Sequence, residues 1–199
     1  MVRARRSPQR RGVRAAAVAV GVAPLVALGV RGALGTLGAN PVETLTHVTG
    51  DWALRFLVLS LCVTPARRWL GWSSLAPERR TLGLFAFGYA CLHIATYLVF
   101  DLGLSFSTLA EDVLERPYIT AGFVAFLSLV PLAATSTRAS IKRLGHRWRQ
   151  LHQLAYLAAI AACVHFVWLV KADWLEPAIY AAVVGFLLVL RLPRRQTAV

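Results

Sequence analysis

Six apolar runs, at roughly 15–37, 48–66, 81–100, 118–134, 150–170 and 177–192, are joined by gaps too short to fold as domains of their own. A hydrocarbon core of about 30 Å takes about 20 helical residues to cross. Backbone groups in lipid must be satisfied within the crossing segment, and no run shows the alternation of a barrel strand. The chain is therefore predicted to be an all-α polytopic membrane protein, a six-helix transmembrane bundle. Arg31 interrupts the first run, and the last is short. A composition 57% hydrophobic and only 16% charged fits this class and no soluble one.

A net charge of +13 raises nucleic acid as a partner, but the placement of the charge excludes it. Arg3, Arg5, Arg6, Arg10, Arg11 and Arg14 precede the first run, and Arg67, Arg68, Arg79 and Arg80 follow the second. Arg138, Lys142, Arg143, Arg147 and Arg149 follow the fourth, and Arg191, Arg194 and Arg195 close the sixth. Every acidic residue except Glu78 falls on or near the other side. The positive-inside rule then makes both termini cytoplasmic. The expected organisation is a basic cytoplasmic tail at 1–14, a transmembrane domain at 15–192 and a cytoplasmic tail at 193–199. An Arg-rich start is also how a secretory leader begins, yet no convincing small-x-small cleavage site follows.

His93, His152 and His165 lie inside the apolar runs. Ionisable side chains in a span mark a cofactor, an ion path or a proton relay, and imidazole is a standard axial ligand of haem iron. The third and fifth runs both lead outward. His93 lies about 10 Å from its run's outer end, and His165 stands five residues before Val170, so the two share a depth. Imidazoles at one level on neighbouring helices can clamp one iron from both faces. His152 is 13 positions from His165, a rise of about 20 Å, and cannot share that iron. It is left for a second haem or for support of a quinone or a propionate. Hydrogen bonding across helices remains the alternative for each of the three.

Cys62, Cys91 and Cys163 sit within spans as packing residues, and no CxxCH exists for covalent haem attachment, so any haem is b-type. His47 reads as interfacial and His146 as a solvated residue of a basic loop. Asp51 and Arg55, at i and i+4, are expected to neutralise each other. The six tryptophans read as interfacial anchors, Pro131 as a kink, and no internal repeat is evident.

The segments RRTLGLFAFGYACLH (79–93), RPYITAG (116–122), LAATS (132–136) and LGHRWRQLHQLAY (144–156), with the His165 region, follow one another in a familiar order. NPVETLTHVTGDWAL (40–54) and LCVTPARRW (61–69) extend it. Together they resemble the MsrQ-type haem-binding membrane subunit of the bacterial periplasmic methionine sulfoxide reductase system, within the ferric-reductase-like transmembrane group. The resemblance implies a b-type haem protein of the bacterial inner membrane, multi-pass, taking electrons from the quinone pool. It implies a heterodimer with a periplasmic molybdopterin catalytic subunit that reduces methionine sulfoxide in oxidised proteins, and an FMN with no residue to assign to it. The family's haem histidines fall on His93, His152 and His165. Arg79 and Arg80 stand where a two-haem stack would place a second histidine on the third span.

No P-loop and no GxGxxG after a strand is present, so a nucleotide cannot be the direct donor. The expected role is an electron-transfer subunit rather than the catalytic one, with the acidic segment 109–117 a candidate docking surface. The alternatives are a standalone haem-dependent ferric or cupric reductase, and a haem-free small transporter or scaffold.

Overall fold

The computed structural model describes residues 8–191. The basic residues Arg3, Arg5, Arg6, Arg194 and Arg195, and with them most of the two tails, lie outside the described residues. Among those described there is no strand. The helices are α1 (Pro8–Ala33), α2 (Pro41–Trp69), α3 (Glu78–Thr96), α4 (Phe106–Glu115), α5 (Pro117–Ala134), α6 (Arg138–Leu144), α7 (His146–Leu151), α8 (Leu154–Leu169) and α9 (Leu175–Val189). Five segments are long and apolar enough to cross a membrane: 11–33, α2, 78–101, α5 and 146–169. A sixth apolar helix, α9, is shorter, at 15 residues. The polytopic helical bundle expected from the apolar runs is what the chain forms.

Local chemistry sets the helix limits. Asn40 caps α2, its side chain accepting from the Glu43 N–H at 3.2 Å, and Pro41 occupies the first turn, where its missing N–H is no loss. Glu78, the one acid on the basic side, is buried in the first turn of α3, where the helix dipole favours a carboxylate. Beyond Thr96 the helix widens into a π-turn over Tyr97–Asp101 and ends at Gly103 and Leu104, both with positive φ.

Helix α1 already begins at Pro8, so the described part of the basic N-terminal segment is helical. Two expectations change. The acidic segment 109–117, expected as a loop, lies mostly in α4, capped by Ser105, and the basic loop around His146 is made of α6, capped by Thr137, and α7. The run 150–170 is broken at His152 and Gln153, between α7 and α8.

The core runs through the bundle as Phe56, Leu61, Ala86, Tyr89, Ala158 and Ala159, each 0–1% exposed. Alanines let backbones approach closely, which is how helices associate in lipid. Trp52 departs from its expected anchoring role: it packs against Phe56 and Tyr89 at ring separations of 5.3 and 6.5 Å. Trp69, Trp72, Trp168 and Trp174 remain exposed, as anchors should be. The outward apolar side chains, among them Val26, Leu127, Ile160 and Phe186, form the lipid-facing surface. The closest helix pairings are α2 with α3 and α5 with α8, so the bundle centre is made of two hairpins.

Candidate functional site

Each hairpin carries one of the two outer histidines, on α3 and on α8. His93 donates its Nδ1 proton to the carbonyl of Thr46 on α2 at 2.9 Å. His165 does the same to Tyr118 on α5 at 2.7 Å. A carbonyl can only accept, so both rings carry hydrogen on Nδ1 and leave Nε2 with a free lone pair. A backbone carbonyl on the far nitrogen is the usual support of a metal-binding imidazole, because it fixes the tautomer and the ring direction.

The two rings lie with centroids 6.1 Å apart and planes crossed at 77°. Metal–nitrogen bonds near 2 Å, with each centroid about 1 Å behind its nitrogen, call for about 6 Å when two imidazoles share one metal. Helices α3 and α8 meet through these side chains rather than through close backbone contact. The residues present thus fit a haem iron gripped from both sides.

The hairpins repeat one pattern. The carbonyl donor precedes its histidine by 47 positions in each. Gly50 and Gly122 each lie four residues after that carbonyl, where an added Cβ would press on the histidine ring. Cys91 and Cys163 precede the histidines by two, and the buried Ala86 and Ala158 precede them by seven. All five pairs share an offset of 72 positions. No internal repeat is evident from residue types along the sequence. This one is carried by five matched positions, and one of the five is a pair of backbone carbonyls with no residue-type signature.

His152 stands apart. Its ring stacks on Trp148 at 3.9 Å, and its Nε2 lies 3.1 Å from the Thr135 hydroxyl. That hydroxyl already donates to the Pro131 carbonyl, so His152 must be the donor, leaving its Nδ1 as the free nitrogen. The structure brings His93 and His165 together and leaves His152 at the basic end.

Around the site, Thr96 donates to the His93 carbonyl at 2.7 Å and lies 3.3 Å from the Thr46 hydroxyl, tying α3 to α2 at the histidine level. Asp51 and Arg55 pair at 3.4 Å, as their spacing implies, and Arg55 also reaches Glu176 at 3.4 Å and donates to Tyr180 at 3.0 Å. On the outer side, Asp112 is buried between Tyr97 and Arg116. His47 is exposed beside Glu43 and Asp101 in a recess that reaches Thr46. No group of three or more potential metal-ligating side chains clusters among the described residues.

The ferric reductase like transmembrane component family matches residues 49–163, which hold Gly50, His93, Gly122 and His152. A protein of Brucella anthropi named protein-methionine-sulfoxide reductase heme-binding subunit MsrQ is 49% identical over 176 residues, 88% of this chain and 80% of that one. The chain belongs to the MsrQ family. Proteins of the same name from Brucella ovis and Brucella canis are also 49% identical, over 87% of this chain and 79% of theirs. No solved structure matches. The MsrQ relatives are named as subunits, not as complete reductases.

Proposed function

We propose that this protein is the membrane electron-transfer subunit of a methionine sulfoxide reductase system, holding a b-type haem between His93 and His165. The observation that carries the reading is the 6.1 Å separation of two imidazoles whose Nδ1 protons are both held by backbone carbonyls. The name borne by the MsrQ relatives supports both the haem and the place in that system.

Bound haem supplies one-electron chemistry at a potential set by its axial ligands, burial and nearby charge. This chain's residues do the rest. Thr46 and Tyr118 fix the rings and raise the basicity of the ligating nitrogens. The two hairpins hold those nitrogens at one level in the outer half of the bundle. His152 serves separately on the basic side, for a second haem or in support of a quinone or a propionate.

The finer reading places the chain in a bacterial inner membrane with its basic face cytoplasmic. Electrons come from quinol in that membrane and leave to a periplasmic molybdopterin subunit in a heterodimer. FMN enters through family resemblance alone, and no described residue is assigned to it.

A visible spectrum of detergent-purified protein, oxidised and reduced, tests the haem reading. A Soret band and a reducible b-type α band are expected, and a colourless protein made with ample haem would leave the transporter or scaffold reading. Reconstitution with reduced quinone and the candidate periplasmic subunit tests the route. Quinol-driven reduction of ferric or cupric ions with no partner dependence would favour the standalone reductase.

A further inference from the structure

We propose that Gly50 and Gly122 are positioning residues for the two axial imidazoles, each leaving empty the space its hairpin's histidine ring needs. The proposal rests on the haem reading above. A Cβ built on Gly50 would lie 3.0 Å from His93 Nδ1 and 3.1 Å from Cε1. On Gly122 it would lie 2.9 Å from His165 Nδ1 and 3.1 Å from Cε1. These are the atoms that donate to Thr46 and Tyr118 and that border the nitrogens facing each other across the site.

The helix explains the coincidence. Within an α-helix the carbonyl of residue i accepts from the N–H of residue i+4, so the Thr46 carbonyl points toward Gly50 and the Tyr118 carbonyl toward Gly122. Each carbonyl has a second lone pair for an imidazole N–H. A ring approaching from the side must pass over residue i+4, where any side chain stands in its way. On intrinsic helix propensity alanine would be the better residue at both positions. Gly185 on α9, by contrast, has nothing within 4 Å of the site of its missing Cβ. Close approach occurs at three glycines: Gly21 is pressed by Phe85 at 2.3 Å, whereas Gly50 and Gly122, at equivalent places in two hairpins, each meet a histidine.

An added methyl cannot be absorbed by the ring turning away, because the ring is held at one nitrogen by the carbonyl and at the other by the metal. Glycine to alanine should therefore lengthen or break one axial bond. The test compares Gly50→Ala, Gly122→Ala and the control Gly185→Ala in the full chain, reduced and exposed to carbon monoxide, with an EPR spectrum of the oxidised form. Wild type and the control should be six-coordinate, low-spin and unreactive to carbon monoxide. The two alanine variants should show a high-spin signal and a several-fold larger carbon monoxide-bound fraction. Low-spin, carbon monoxide-inert haem in both variants overturns the proposal. Should an alanine variant fail to accumulate, removing the ring it presses, as in Gly50→Ala with His93→Ala, should restore a folded, haem-depleted protein. Continued failure of that double variant means the glycine serves helix packing, and overturns the proposal. A wild-type protein without haem defeats the parent reading before the glycines are tested.

Discussion

Asp112 accepts the phenolic proton of Tyr97 and pairs with Arg116 at 3.2 Å, joining the π-turn after α3 to α4 and to the start of α5. Although it lies in the segment expected to present acids to a partner, its carboxylate is buried and already occupied. Glu111 and Glu115 remain exposed there, while Phe106 and Leu114 expose an apolar face of the same helix.

Tyr97→Phe removes one charge-assisted hydrogen bond and should lower stability by about 1–3 kcal/mol. Thermal unfolding in detergent reads the loss, and amide exchange should rise first in 97–115. A melting temperature unchanged from wild type would show that the bond contributes nothing in solution.

His93→Ala and His165→Ala should each abolish most of the Soret absorbance per protein, because each removes one face of the same clamp. His152→Ala should leave the outer haem in place. Haem-to-protein ratios check this, and full retention of haem in both outer variants would refute the shared site.

If the two rings ligate one iron as proposed, planes crossed at 77° would direct them at two different, mutually perpendicular d-orbitals and leave those orbitals close in energy. The oxidised protein should give a strongly anisotropic low-spin EPR signal with one prominent low-field feature. A well-resolved rhombic triplet would mean near-parallel rings instead.

Arg55 joins Asp51, Glu176 and Tyr180, linking α2 to α9. Removing the cation strands two carboxylates, so Arg55→Leu should destabilise more in wild type than in an Asp51→Asn background. A coupling of about 0.6–1.7 kcal/mol is the scale measured for polar pairs between membrane helices. Additive effects in an unfolding cycle would show that the pair is not energetically linked.

Much of this architecture is legible in the sequence because lipid enforces simple rules. Apolar length marks the spans, Lys and Arg mark one side, and a rise of 1.5 Å per residue puts His93 and His165 at a common depth. The short amphipathic helices α4 and α6 escape such a reading because 10 and 7 residues are too few to register as apolar runs. Thr46 and Tyr118 escape it because a backbone carbonyl has no residue code, and Gly50 and Gly122 are two glycines among 14 until the rings beside them are seen. The break at His152 and Gln153 carries no glycine or proline to mark it in the sequence.

The division of the clamp between two hairpins also has a consequence in time. After His93 emerges from the ribosome, 72 further residues must be made before His165 exists, roughly 4–14 s at about 5–20 residues per second. Through that interval a porphyrin can be held by one imidazole at most. In the reading proposed above, two-sided cofactor capture would therefore be a late event of assembly, completed only once the second hairpin has entered the bilayer beside the first.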